Sequence, residues 1–268
     1  MPQDMREAAS VADGGVAGAT ADPTTRPYLS ARGLSKRFAH VVALADVDLD
    51  VFEGEILALV GDNGAGKSTL IKILSGVYQP DRGEISIGGR PARLADPQQA
   101  RALGIATVFQ DLALVDMRDV AANLFLGREP VKWRWFVDRA AMLAEAGRTL
   151  ADLRVRMPSL TVEVGQLSGG QRQSVAIGRA ISQRGRIIIM DEPTAALGVQ
   201  ESRKVLDLIL RLRESGAGVL VISHNMRQVF SIADRIAVMR HGRQVGVRRR
   251  DETTPDEIVK MIVGVGVA

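Results

Sequence analysis

The segment Gly61-Asp62-Asn63-Gly64-Ala65-Gly66-Lys67-Ser68 has the spacing G-x-x-x-x-G-K-[ST] of a phosphate-binding loop. Glycines at these positions let successive backbone N–H groups turn inward around two phosphates. Lys67 then reaches the outer phosphates, and the Ser68 hydroxyl takes a place on Mg²⁺. The motif has meaning only between a strand and a helix, and the flanks supply both. Glu55 to Val60, apolar from Ile56 onward, reads as a buried strand, and Ser68 to Ser75 reads as a helix. That helix adds the positive end of its dipole to the anion site.

Three more segments narrow the chemistry. Leu167-Ser168-Gly169-Gly170-Gln171 is a glycine-rich turn leading into an Arg-bearing helical pattern, Arg172 to Ser182. Ile187-Ile188-Ile189-Met190-Asp191-Glu192 is an apolar strand ending in two carboxylates, and Leu220-Val221-Ile222-Ser223-His224 is another, ending in histidine. Each alone has an ordinary structural explanation: a turn, a helix cap, a rim histidine. In this order behind a phosphate loop they form a pattern.

With these residues the chain resembles the ATP-binding cassette (ABC) ATPases over residues 28–265. The resemblance implies an α/β fold: a P-loop NTPase with a RecA-like core, an antiparallel β subdomain and an α-helical subdomain at about 111–165. It implies ATP and Mg²⁺ as cofactors. Residues Gly61 through Ser68, with Thr69, would cradle the phosphates. Ser68, Gln110 and Asp191 would face Mg²⁺. Glu192 would be the base that polarises the attacking water, His224 the switch histidine at the γ-phosphate, and Gln110 the sensor of both γ-phosphate and metal. Phe38 falls where the family stacks an aromatic on adenine, often Tyr; Phe keeps the stacking face and loses the hydroxyl. Leu167 to Gln171 matches the family signature, in which Ser168, Gly169, Gly170 and Gln171 close on ATP held by the opposite cassette. One phosphate loop and one signature therefore imply a dimer, with itself or with a sister cassette.

One position departs from the pattern. After Asp191-Glu192-Pro193-Thr194 the family continues x-A-L-D, whereas this chain has Ala195-Ala196-Leu197-Gly198. Gly198 lacks the carboxylate that reaches toward the opposite phosphate loop, so cross-site coupling is expected to be weaker. Glu192 and His224 are kept, so hydrolysis is still expected.

Composition removes several classes. The 268 residues contain no cysteine, which excludes thiolate nucleophiles, Cys-built zinc hooks and iron–sulfur clusters. It also fits a reducing compartment. One cassette fits this length, whereas translation-type relatives carry two. No apolar run reaches the 18–20 residues of a membrane span. Met1 to Arg26 is rich in Ala, Gly, Thr, Asp and Pro, lacks a signal-peptide pattern, and reads as a disordered tail within 1–27. The net charge of +4 is modest and scattered, so nucleic acid is not an expected partner; Arg248-Arg249-Arg250 reads as a solvated turn.

Along the chain, Tyr28 to Ala31 and Ala43 to Val51 read as antiparallel strands, followed by Gly83 to Gly89 as a short strand, Pro97 to Leu103 as a helix and Ile105 to Phe109 as a strand. Asp138 to Leu153 has apolar residues at helical spacing, namely Ala141, Leu143, Leu150 and Leu153. Glu201 to Glu214 is amphipathic, with Val205, Leu208, Ile209 and Leu212 on one face and Gly216 and Gly218 stopping it. Asn225 to Ala233 reads as a helix, Arg235 to Arg240 as a strand and Thr254 to Ile262 as a closing helix. By resemblance the helical subdomain docks on a transmembrane permease, with Leu112 to Met117 and Trp133 to Phe136 as contact candidates.

Local strings refine the resemblance. Ala122 to Pro130, Val60 to Ser68 and Ile222 to Met226 look like those of monosaccharide importers, and Ala195 to Ser202 in a single-cassette chain is similar to the fructose type. This implies a peripheral subunit on the cytoplasmic side of the inner membrane, served indirectly by a periplasmic sugar-binding protein. The alternatives are another small solute, export, a soluble regulatory ATPase whose activity DNA would stimulate, and a non-hydrolysing member of a mixed dimer.

Overall fold

Strands whose residues are apolar at every position need cover on both faces, and the chain supplies it with helices. Five strands with buried apolar interiors lie parallel: Ile56–Gly61 (β3), Ile105–Val108 (β6), Ile187–Asp191 (β9), Gly218–Ile222 (β10) and Arg235–Arg240 (β11). Arg243–Arg249 (β12) joins antiparallel to β11, and the sheet order is β12-β11-β3-β10-β9-β6. These elements come from a computed structural model that describes residues 26–133, 135–182 and 185–265. Most of the tail expected at 1–27 lies outside the described residues.

A second sheet is fully antiparallel. Leu29–Phe38 (β1), Val41–Val51 (β2), Arg82–Ile87 (β4) and Arg90–Ala92 (β5) are ordered β2-β1-β4-β5. Helix α1 (Lys67–Leu74) is the wedge between the two sheets. Its Leu70, Ile71, Ile73 and Leu74 are buried in one cluster with Leu29 and Leu34 of β1, Leu44 of β2 and Leu57 and Leu59 of β3. The short α2 (Pro97–Ala102) is capped by Asp96, whose side chain accepts from Gln99 N–H.

The opposite face of the parallel sheet is covered by α5 (Gly169–Ser182) and α6 (Val199–Glu214). Val205, Leu208, Ile209 and Leu212 of α6 all bury against Ile188 and Met190, as the spacing predicts. Gly216 ends that helix with φ +90°, but Gly218 is the first residue of β10 rather than a stop. Helix α7 (Met226–Ile232) starts on Asn225 as its cap, and α8 (Pro255–Val263) on Thr254, with Pro255 in its first turn.

Between β6 and α5 stand α3 (Val120–Leu124) and α4 (Arg139–Asp152), packed together around Leu124, Met142, Ala146 and Leu150. The expected face of α4 holds at its C-terminal end, where Leu150 and Leu153 are buried, and differs in its first turn. Met142, Ala146 and Leu150 point inward, Ala141 is exposed and Leu143 is half-buried. Alanine fits either side of a helix, so its place in the sequence pattern carries little directional information. A two-stranded hairpin, Val131–Lys132 (β7) with Phe136–Val137 (β8), projects just before α4.

The arginine cluster at 248–250 ends β12. Arg248 Nε donates to Glu257 Oε1 at 3.1 Å, and Arg249 lies 3.5 Å from Asp251 and Glu252. Two of its three charges are therefore answered within the chain.

Candidate functional site

The C-terminal ends of β3, β6, β9 and β10 converge at one edge of the parallel sheet, the edge where ligands of open α/β sheets bind. Each strand ends in a chemical group. After β3 the chain turns through the glycine loop, with Gly61, Gly64 and Gly66 at φ of +150°, +81° and +99°. Gly66 is the residue from which α1 begins. Its backbone runs so close to β2 that a Cβ there would lie 2.6 Å from the Ala43 carbonyl oxygen and 2.8 Å from Leu44 Cδ2. Ala65, 3% exposed, seats the loop in the core. Its N–H donates to Asp62 O, and its carbonyl accepts from Gly242 N–H.

Lys67 is buried, and its Nζ donates to the carbonyls of Gly61 (2.6 Å) and Asp62 (2.9 Å). Burial holds this ammonium below the ordinary lysine range, against the pull of Glu192, Asp62 and Asp191. Asp191 ends β9. Burial, and then the neighbouring charge of Glu192, raise its carboxyl above the ordinary value, while Lys67 and Lys72 oppose the shift.

Glu192 follows at φ +49°, a left-handed conformation rare for a long side chain, with its N–H tied to Ile222 O at 3.0 Å. That turn aims the carboxylate at the end of β10, where His224 Nδ1 lies 2.8 Å from Glu192 Oε1. Below them Thr194 Oγ1 donates to Gln228 Oε1 at 2.5 Å, binding the segment after Glu192 to α7.

These groups enclose a cleft of about 420 Å³. Of the residues singled out in the sequence, Asn63, Gly64, Gly66, Lys67, Ser68, Thr69, Gln110, Asp191, Glu192 and His224 line it. Gly61, Asp62 and Ala65 form the base of the loop. Phe38 is not part of the lining. It pairs with Val41 across the β1–β2 turn, is 41% exposed, and meets Tyr78 edge-to-face with centroids 5.3 Å apart. The wall on that side is Val41, Val42 and Ala43, which sequence reasoning missed. Their signal was their place at the start of the strand that follows the Phe38 turn.

The signature residues also lie apart from this cleft. Ser168 and Gln171 brace the start of α5: Gln171 N–H donates to Ser168 Oγ (3.3 Å) and Ser168 N–H to Gln171 Oε1 (3.0 Å). A Cβ on Gly169 would stand 2.9 Å from Leu197 Cδ2, and one on Gly170 would stand 3.1 Å from Glu201 Cβ. The glycines therefore let α5 lie against the start of α6. Gly198 begins α6 there, its N–H donating to Glu201 Oε2 at 3.3 Å.

The donor set fits a nucleotide with Mg²⁺. Among the described residues no group of three His, Cys, Asp or Glu side chains is arranged to hold a metal. Among the groups lining the cleft are the Ser68 hydroxyl, the Gln110 amide and the Asp191 carboxylate. This is the sparse oxygen set of an Mg²⁺ ion that completes its shell with phosphate oxygens and water. The glycine-rich turn at the start of α1 supplies the matching anion site.

Residues 44–195 match the family model described as "ABC transporter". Among curated proteins, a fructose import ATP-binding protein of Rhizobium meliloti is 47% identical over 245 residues, covering 89% of this chain and 94% of that one. A xylose/arabinose import ATP-binding protein of Sulfolobus acidocaldarius is 44% identical, covering 87% and 93%. A ribose import ATP-binding protein of Rubrobacter xylanophilus is 46% identical, and the match spans 89% of this chain but 47% of that longer one. Among solved structures, the ADP conformation of an ATP-binding cassette of an ABC transporter superposes with a TM-score of 0.79 at 27% identity, covering 90% of this chain and all of that one. A dimeric bacterial ABC transporter cassette superposes at 0.71 and 25% identity, covering 83% and 98%.

Proposed function

This chain belongs to the ABC transporter family, and from that premise we propose that it is the ATP-hydrolysing subunit of a monosaccharide importer, working with a separate permease. The observation that carries the hydrolytic part is the Glu192–His224 pair, 2.8 Å apart at the mouth of the phosphate-loop cleft. The sugar follows from the relatives, whose names are fructose, xylose/arabinose and ribose import proteins. Fructose is the first sugar to test.

The loop amides from Asn63 to Thr69 and the Lys67 ammonium hold the phosphate chain of ATP. Ser68, Gln110 and Asp191 would hold Mg²⁺. Bound Mg²⁺ neutralises charge on the phosphate oxygens. Glu192 accepts the hydrogen bond of the attacking water and orients it, and His224 presents its other ring nitrogen toward the terminal phosphate. Val41 and Val42 form the apolar wall on the base side, extended by the Phe38 ring beside them.

Two copies of the chain, or this chain and a sister cassette, would place the Ser168 end of α5 over the neighbour's cleft. Because Gly169 and Gly170 rest on Leu197 and Glu201, movement of α5 is passed to the segment that follows Glu192. Differential affinity of ATP for the closed pair supplies the energy that reorients the permease. Among the described residues no helix is long and apolar enough to cross a membrane. This reading takes the permease as a separate protein. A periplasmic sugar-binding protein would deliver the solute, and this subunit would sit on the cytoplasmic face of the inner membrane.

Uptake of labelled fructose, ribose and xylose by cells carrying Lys67→Ala tests the proposal. Loss of uptake for one of these sugars is expected. Undiminished uptake of all three, with the variant protein present, would overturn monosaccharide import.

A further inference from the structure

The chain has two tryptophans, and both stand on the β7–β8 hairpin. Neither packs into the subdomain: Trp133 is 80% exposed and Trp135 84%, beside exposed Phe136, Val131 and Val137. The strand register pairs Val131 with Val137 and Lys132 with Phe136. Alternation then puts the two valines on one face and Lys132 with Phe136 on the other. Both faces are exposed, so the hairpin projects with apolar groups on each side and at its tip.

The tip is held in place at its base. Asp138 N–H donates to Pro130 O at 2.6 Å, the Asp138 side chain caps α4, and the next residue, Arg139, pairs with Asp119 ahead of α3. Trp133 has φ +52°, a backbone state that costs a bulky side chain free energy and is kept here at a solvent-exposed turn. Lys132 Nζ lies 5.8 Å from the centroid of the Trp133 ring. No carboxylate among the described residues lies within ion-pairing distance of Lys132.

A rigid protein partner covers one face of a strand pair. A projecting hairpin with exposed apolar groups on both faces, and with Lys132 unpaired by any described carboxylate, fits a fluid, anionic medium that closes around it. Tryptophan settles at the water–hydrocarbon boundary because its ring is apolar and its N–H finds a partner there, and lysine beside it meets the headgroup charge.

We propose that the β7–β8 hairpin inserts into the headgroup layer of an anionic bilayer. The cassette then touches lipid directly as well as through its permease. This rests on the reading of the chain as a membrane transporter's subunit. The contact would fix the distance of the helical subdomain from the membrane surface.

Because both indoles lie on the hairpin, tryptophan emission of the purified full chain reports on this contact alone. The protein is mixed with permease-free vesicles of phosphatidylcholine, with and without phosphatidylglycerol, and bound protein is measured by co-sedimentation. The expected result is a shift of emission to shorter wavelength and protection from acrylamide, confined to vesicles holding phosphatidylglycerol. Lys132→Ala should weaken partitioning about fivefold. The Trp133→Ser/Trp135→Ser double variant should weaken it more than about tenfold. Val263→Ser, which removes an exposed apolar residue of α8, should leave it unchanged.

Equal partitioning of wild type and double variant overturns the proposal. An emission shift that needs permease-containing membranes, or one that appears with rising protein concentration and no vesicles, also overturns it, in favour of a protein contact. Binding of a fluorescent ATP analogue by the same preparation is followed in parallel. Nucleotide binding without a vesicle response removes the lipid contact and leaves the ATPase standing. A vesicle response without nucleotide binding does the reverse.

Discussion

Gly64 and Gly66 both hold left-handed backbone in the phosphate loop, and replacing each by alanine should have unequal effects. At Gly64, φ is +81° and an added Cβ meets nothing within 4 Å. The loss is then the left-handed strain alone, about 1–2 kcal/mol. At Gly66, φ is +99° and the Cβ meets the Ala43 carbonyl oxygen at 2.6 Å and Leu44 Cδ2 at 2.8 Å. Leu44 is 1% exposed in the central core, so it cannot swing away without opening a void there. Overpacking of this kind adds about 1–3 kcal/mol, for a total of about 2–5 kcal/mol at Gly66. Urea unfolding of the nucleotide-free chain measures both, and thermal unfolding should show a drop of about 2–4 °C per kcal/mol at this size. Equal losses at the two positions, or a Gly66→Ala loss below about 1 kcal/mol, would refute the claim that α1 begins pressed against β2.

Lys67→Ala should weaken ATP binding by roughly 100-fold, the loss of a buried charge contact of about 2–3 kcal/mol, measured with a fluorescent nucleotide. Asp191 has a carboxyl raised by burial and by Glu192, so the folded state favours its protonated form. The sign is that this group's contribution is intact below the ordinary carboxyl value of 3.8 and is lost as pH rises through the raised one. Asp191→Asn should therefore stabilise the nucleotide-free fold at pH 7 relative to wild type, with the difference vanishing on acidification toward that value; urea unfolding across pH checks it. Asn123 is fully buried, its Nδ2 donating to the Val115, Arg118 and Asp119 carbonyls and its Oδ1 accepting from Val115 N–H. Asn123→Leu should cost about 2–4 kcal/mol in urea unfolding by leaving these groups unpaired, and should speed hydrogen exchange at Val115.

The phosphate loop was legible because its chemistry is local: glycines, lysine and serine act within one turn of chain. The strands carrying Asp191 and His224 were legible because their burial leaves uniform apolar runs. What the sequence pattern hid depends on neighbours distant in the chain. Arg243–Arg249 carries three arginines in seven residues and resembles a loop, yet as an edge strand it needs only β11 on one side. The five residues of α3 are too few for a period to show, and Asp119 and Asn123 hold it through caps and buried amide bonds. The exposed tryptophans could not be told from buried ones by composition.

The site divides in the same way. Ten of the residues singled out meet at one cleft because strand ends bring them there. The signature turn stays outside because it starts α5, whose Gly169 and Gly170 lie against Leu197 and Glu201 at the start of α6. Phe38 falls just outside the lining because β1 runs past the cleft and Val41, its partner across the turn, faces in.

Glu192, held by its left-handed backbone and its contact with His224, is the proposed base of ATP hydrolysis. Steady-state ATPase activity of Glu192→Gln, measured alongside its ATP affinity, tests this directly. The expected result is a turnover reduced by about 10²–10⁴-fold with affinity retained, and an ATP-dependent dimer in size-exclusion chromatography. Turnover within a few fold of wild type, with ATP bound as tightly, would contradict it and place the base elsewhere.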